Sequence, residues 1–139
     1  LIDFDFKDQL LSQRLGDKGT LGVADLLSHA GPVDEFFASL PGTSIEFAPA
    51  GISQDLQGSV SSQTLTQLFK SPVGGLTLID ASFHSPLHLL VDQVEAVLCL
   101  TSPGVRWERH EEEVLLSLRE ARVPVWGFAH GDSRFFPYI

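Results

Sequence analysis

The sequence contains no methionine and a single cysteine, Cys99, in 139 residues. One cysteine excludes an internal disulfide framework and a multi-cysteine metal site. It points to a reducing, cytoplasmic setting. Cations are scarce too, with 9 Lys and Arg against 18 Asp and Glu, for a net charge of −9. Phosphate backbones attract Lys and Arg, so direct nucleic-acid binding is not expected. Arg106, Arg109, Arg119 and Arg122 fall in one segment, but Glu108, Glu111, Glu112, Glu113 and Glu120 interleave with them. That mixture reads as a solvated helix face. No apolar run approaches the roughly 18 residues that span a bilayer, so no transmembrane segment is expected. No basic stretch leads into an apolar one, so no signal peptide is visible. The missing methionine, with Leu1-Ile2-Asp3 reading as the middle of a strand, suggests a fragment, a processed product or a chain without its original N-terminus.

What remains is globular. Hydrophobic residues are 43% and charged residues 19%, enough for one core and one domain over residues 1–139. Residues 1–4 read as a short apolar strand. Residues 7–15 place Leu10, Leu11 and Leu15 on one helix face, with Gly16 as its C-cap. Two short helices are expected over 23–28 and 33–40, the second carrying Asp34 and Glu35 in its first turn and ended by Pro41-Gly42. A strand over 45–48 leads into a polar loop, and Ser61 caps a helix over 64–69. Residues 76–79 form a near-continuous apolar strand ending at Asp80. A helix over 87–91, a strand over 96–100, a long helix over 107–121 and a strand over 123–128 follow. In the long helix Val114, Leu115 and Leu118 face inward. Cys99 is most simply a core residue. Strands that alternate with helices, several of them apolar on both faces, indicate an α/β fold. The sheet is mostly parallel and flanked by helices on both faces.

In such sheets ligands bind beyond the carboxyl ends of strands. Asp3 and Asp5 close the first strand and Asp80 closes the one at 76–79. The two-residue spacing puts Asp3 and Asp5 on one side of the strand. Carboxylates gathered at a strand edge repel, and a divalent cation relieves them. Hydrated Mg²⁺ needs only one or two carboxylates plus phosphate oxygens. The plainer reading is three polar stops.

The stretch Leu1-Ile2-Asp3-Phe4-Asp5-Phe6-Lys7-Asp8-Gln9, running on to Leu15-Gly16, resembles the second-strand signature of MinD/ParA-type P-loop ATPases. Residues 21–27 (LGVADLL) are similar to the short helix that follows it there. Leu40-Pro41-Gly42 through Phe47-Ala48-Pro49-Ala50-Gly51 resembles that family's next strand and its Pro-Ala-Gly ending, residues 76–80 its Walker B strand, and 96–103 the strand after that. The resemblance implies that Asp5 orients the attacking water or contacts the metal shell. It implies that Asp80 holds Mg²⁺ through water and that Asp3 supports the strand end. Phosphoryl transfer needs this kind of positioning and charge neutralisation. It further implies a nucleotide-dependent switch that acts through protein partners, as a homo-oligomer, in positioning, secretion or surface-polymer machinery.

Two features depart from the family. No G-x-x-x-x-G-K-[ST] occurs, and no glycine precedes a lysine directly; Gly16-Asp17-Lys18-Gly19-Thr20 follows a helix instead of opening one. After Asp80 the family's Pro-containing turn is replaced by Ala81-Ser82-Phe83-His84-Ser85-Pro86. The expectation is a domain without its N-terminal strand and P-loop, inactive as an ATPase by itself. Mg²⁺ and ATP are cofactors only if that loop is supplied.

Two alternatives fit the same residues. A phosphorelay receiver domain uses an acidic pair, a phosphorylated Asp and a Thr or Ser, roles open to Asp3/Asp5, Asp80 and Thr101/Ser102. Against it, 5 to 80 is a long separation, and Ala129-His130-Gly131 stands where its lysine belongs. A non-catalytic interaction scaffold is the other. His84 and His88, four apart, would make a metal pair only on a common helix.

Overall fold

The computed structural model describes residues 1–15, 20–29, 32–52, 62–70, 75–101 and 108–130. Gly16, Ser61, Ser102, Trp107 and the aromatic stretch Phe135 to Tyr138 lie outside them. The chain divides into two compact units, Leu1–Pro86 and Leu87–Ile139.

In the first unit, β1 (Ile2–Asp3) is followed by α1 (Leu10–Leu15) and α2 (Val23–His29). A 3₁₀ turn over Val33–Phe36, β2 (Ala38–Ser39), β3 (Glu46–Phe47), α3 (Ser62–Phe69) and β4 (Ile79–Asp80) complete it. β1 has a partner on each side. It pairs in parallel with β4, Ile2 opposite Ile79 and Asp3 opposite Asp80. On its other side a parallel bridge joins Ile2 to Ala48, just past β3. The backbone bonds alternate accordingly: Ile2 N–H to Leu78 O at 2.9 Å, Asp3 N–H to Ala48 O at 3.0 Å, Phe4 N–H to Asp80 O at 2.7 Å. Ile2, Asp3 and Phe4 are wholly buried, so β1 is an interior strand. Val23, Leu26, Phe47, Leu65, Leu68 and Phe69 are buried as well. The Phe4 and Phe69 rings lie 5.9 Å apart and tilted.

The expected helix over 33–40 is replaced by the 3₁₀ turn and then a strand. β2 runs antiparallel to β3, Ala38 opposite Phe47 and Ser39 opposite Glu46. The reason is Pro41-Gly42. Thr43 N–H donates to Leu40 O at 3.1 Å and Gly42 stands at φ +75°. That is a type II turn, with proline and glycine at the positions it requires. Proline also steers Leu40 away from helical backbone. A two-residue strand has no periodicity of its own, so pairing alone creates β2.

Two apolar expectations are corrected as well. Leu10 and Leu15 are exposed, and the buried residue of α1 is Ser12. The strand expected over 76–79 shortens to β4, with Leu76 and Leu78 exposed.

The second unit holds a 3₁₀ turn (Leu87–Leu89), β5 (Val97–Thr101), α4 (Arg109–Glu120) and β6 (Val125–His130). β5 and β6 are parallel with α4 as the crossover, the arrangement that parallel neighbours demand. Of the three expected inner residues of α4, Leu118 is buried and Val114 and Leu115 are half-buried, and Cys99 is buried in β5. Burial pushes the Cys99 thiol up, away from thiolate reactivity. α4 ends in a Schellman arrangement. Val123 N–H reaches Leu118 O at 2.9 Å and Arg122 N–H reaches Arg119 O at 3.0 Å, with Arg122 at φ +59°. The Arg109–Glu113 pair at 3.0 Å is exposed at both ends, so it contributes little. His84 lies in a turn and His88 in the 3₁₀ segment, so they share no helix.

Candidate functional site

The site is built where β1 and β4 end side by side. Because the strands are parallel and Asp3 is level with Asp80, both chains leave the sheet in the same direction, and their carboxylates gather there.

Asp3 lies beneath the site. It is wholly buried, and both its oxygens are occupied. Oδ1 accepts from Asp5 N–H at 3.0 Å. Oδ2 accepts from Ser12 N–H at 2.8 Å and from the Ser12 hydroxyl at 2.6 Å. Ser12 Oγ in turn accepts from Ala50 N–H at 2.9 Å. One carboxylate thus ties together the end of β1, the first turn of α1 and the segment after β3. This explains why a serine, and not a leucine, is the inward residue of α1: its partner is a buried charge.

Asp5 stands beyond the end of β1, so the period of the strand does not carry to it. Its Oδ1 accepts from Lys7 N–H at 3.2 Å, Asp8 N–H at 3.3 Å and the Ser82 hydroxyl at 3.1 Å. Its Oδ2 takes no hydrogen bond among the described residues. Asp80 is exposed at the end of β4. Partial burial pushes its carboxyl up, and the charges of Asp3 and Asp5 push it the same way. Among the described residues no three His, Cys, Asp or Glu side chains are arranged to enclose a metal. The arrangement suits instead an ion that takes one or two carboxylates and completes its shell with water and phosphate oxygens, as Mg²⁺ does.

The wall beside this site is stitched by Asp25. Its Oδ2 accepts from Gly22 N–H and Ile52 N–H, both at 2.9 Å. Val23 N–H and Ala24 N–H donate to the carbonyls of Pro49 and Ala50, each at 2.9 Å. The first amides of α2 are therefore committed to protein oxygens and cannot cradle a phosphate. Gln9 reaches across from the other side, Nε2 to Gly51 O at 3.2 Å. Gly22 and Gly51 are glycines because the two backbone segments of this clamp touch there. A Cβ on Gly22 would sit 2.5 Å from Gly51 N, and one on Gly51 would collide with Asp25 Oδ2.

Sequence reading singled out Asp3, Asp5 and Asp80, and the fold brings all three to one strand end. It missed Ser12, Asp25 and Ser82. Ser82 stood in view as part of the departure after Asp80. Ser12 carried no local signal, since its partners lie 9 and 38 residues away; Asp25 holds Gly22 three residues back, but its hold on Ile52 spans 27 residues. Of the receiver-like set, Ser102 lies outside the described residues.

The raised Asp80 carboxyl has a consequence for stability. Its folded-state value lies above the unfolded one, so ionisation in the folded protein is unfavourable. Below the unfolded value both states are protonated and nothing is lost. As pH rises through the folded value, stability falls. Asp80→Asn should therefore stabilise the chain at about pH 7 and change nothing near pH 3, where carboxyls are protonated in both states. Solvent screening at this exposed position keeps the gain below about 1 kcal/mol. Urea unfolding at the two pH values measures it, and destabilisation at neutral pH would contradict it.

No family model and no curated protein matches the sequence. Solved structures do. The kinase domain of VpsO superposes with a TM-score of 0.64 at 16% identity, over 94% of this chain and 68% of that one. The septum site-determining protein MinD from Pyrococcus horikoshii OT3, complexed with Mg-ADP, superposes with a TM-score of 0.66 at 18% identity. That match covers 91% of this chain, which spans 54% of the length of MinD. At such identities the likeness is one of fold. The chain has a P-loop NTPase-like α/β fold, distantly of the MinD/ParA type.

Proposed function

We propose that this chain is a nucleotide-dependent switch domain, or a non-hydrolysing relative of one. In this reading it senses Mg²⁺-nucleotide at the ends of β1 and β4 and acts through protein partners as a homo-oligomer in the cytoplasm. The observation that carries the reading is the level pair of parallel strand ends, where Asp5 Oδ2 takes no hydrogen bond among the described residues and the exposed Asp80 carboxylate feels the charges of Asp3 and Asp5. The bound Mg-ADP of the MinD neighbour adds weight.

The residues fit the metal and only part of the nucleotide. Asp80 would hold the hydrated Mg²⁺ through water, and Asp5 would orient a water or reach the metal shell. Asp3 would keep the strand end in place. A bound Mg²⁺ supplies neutralising charge for a phosphate chain. The phosphate cradle is another matter. The sequence has no Gly-rich loop followed by lysine, and the amides of α2 are committed. The cradle would come from outside these 139 residues, and the chain alone would not turn over ATP.

The test is titration with ADP in the presence and absence of Mg²⁺, followed by amide NMR, with ATP turnover measured alongside. The expected result is Mg²⁺-dependent binding weaker than about 100 μM. Shifts should centre on residues 5–8 and 80–82, vanish in Asp80→Ala, and come with no turnover. Binding indifferent to Mg²⁺ and to Asp80→Ala would overturn the reading.

A further inference from the structure

The segment after β4 contains a directed chain of hydroxyl hydrogen bonds that ends on Asp5. Ser82 N–H donates to Ser85 Oγ at 3.0 Å. The two hydroxyl oxygens lie 3.3 Å apart. Ser82 Oγ donates to Asp5 Oδ1 at 3.1 Å. A serine hydroxyl has one proton. Since Ser82 gives its proton to Asp5, the proton between the serines belongs to Ser85. The polarity of the relay is thereby set: Ser82 N–H to Ser85, Ser85 O–H to Ser82, Ser82 O–H to Asp5. Ser85 N–H closes the loop on Ser82 O at 3.0 Å, so Ser82 is held from both sides.

The effect falls on the two oxygens of Asp5 unequally. Oδ1 receives three donors, two backbone amides of its own turn and one hydroxyl from a segment 77 residues away. Oδ2 receives none among the described residues. The amides of Lys7 and Asp8 come from the turn that Asp5 itself begins, and at 3.2 and 3.3 Å they are long. They would follow the carboxylate through modest rotations. Ser82 is the donor from the segment just past β4, so among the described residues it alone refers the Asp5 carboxyl plane to β4.

We propose that Ser82 is a positioning residue. By fixing Oδ1 it leaves Oδ2 as the oxygen that faces a hydrated divalent cation shared with Asp80. The inference rests on the reading of this strand end as a Mg²⁺ site and adds a component to it. A hydrogen bond to a charged group held in place in this way corresponds to about a tenfold change in affinity when removed.

The experiment uses Mn²⁺ as the probe, with affinity read from water-proton relaxation in wild type, Ser82→Ala, Ser82→Thr and Asp5→Asn. The expected result is about tenfold weaker binding in Ser82→Ala and recovery in Ser82→Thr, which keeps the hydroxyl. In the Asp5→Asn background Ser82→Ala should have no further effect, because the coupling runs through the carboxylate. A second readout needs no metal. Three-bond couplings should show one Asp5 rotamer in wild type and Ser82→Thr, and an average in Ser82→Ala. Equal Mn²⁺ affinity in wild type and Ser82→Ala, with binding still lost in Asp80→Ala, would overturn the role of Ser82 and leave the cation site standing. The same loss from Ser82→Ala in both backgrounds would overturn it too. No Mn²⁺ binding at this strand end in wild type would overturn both.

Discussion

Gly22→Ala should destabilise the chain by about 3–5 kcal/mol, a large part of the total for a domain of this size. The added Cβ would lie 2.5 Å from Gly51 N and 2.8 Å from Gly51 Cα, and closer still to Pro49 O. All three are backbone atoms, so no side chain can swing aside. Relief requires the Pro49-Gly51 segment to move from α2. That movement breaks the bonds from Val23 and Ala24 to Pro49 and Ala50, and it strains the two amides held by Asp25. Gly42→Ala is the matched control. Gly42 has the left-handed backbone, φ +75°, but open space around it. Its replacement should cost only about 1 kcal/mol, the conformational penalty alone. Urea unfolding of the two variants measures the contrast, and equal costs would show that the close approach at Gly22 is not what limits that position.

Asp3→Ala has an effect of similar size for a different reason. Three donors end on this carboxylate, and it is wholly buried. Each buried donor left without an acceptor costs roughly 1–3 kcal/mol. Removing a buried charge recovers part of that sum, so the expected net loss is about 4 kcal/mol. Ser12→Ala should cost less, about 1–2 kcal/mol, because Asp3 keeps its bonds to the amides of Asp5 and Ser12 and only Ala50 N–H loses its acceptor. The ordering matters more than either value. If Asp3→Ala were as mild as Ser12→Ala, the carboxylate would not be the knot that joins β1, α1 and the segment after β3. Amide exchange at Asp5, Ser12 and Ala50 reports the same loss site by site, since these amides should open together in Asp3→Ala.

These two variants mark what the sequence discloses and what it conceals. The strand-end aspartates were readable because each breaks an apolar run at a point where an α/β sheet presents its ligands. Asp3 and Asp80 even proved level across the sheet. What no pattern revealed is the division of labour among them. Asp3 and Asp5 look equivalent two residues apart, yet β1 ends between them. Asp3 has donors on both oxygens, whereas Asp5, also buried, takes all three of its donors on Oδ1 and none on Oδ2 among the described residues. The exposed leucines Leu10, Leu76 and Leu78 misled for a related reason. Apolar periodicity assumes that the inward position is apolar, and in α1 it is Ser12, chosen by a buried charge. β2 escaped notice because two residues cannot show a period, and the turn chemistry of Pro41-Gly42 serves a helix end and a hairpin equally well. Long elements fared better. α4 has twelve residues and a distinct inner side, and its expected inner residue Leu118 is the one buried.

In the proposed function a divalent cation binds between Asp5 and Asp80. Mn²⁺ added to ¹⁵N-labelled protein tests it directly, since the paramagnetic ion broadens amides near its seat. The Phe6, Asp8, Ala81 and Ser82 signals should be lost selectively, and Asp80→Ala should abolish that loss. The acidic face of α4, Glu111, Glu112 and Glu113, should stay sharp at the same concentration. Broadening centred on α4 with the strand-end amides unaffected, or broadening at the strand ends that survives Asp80→Ala, would contradict it.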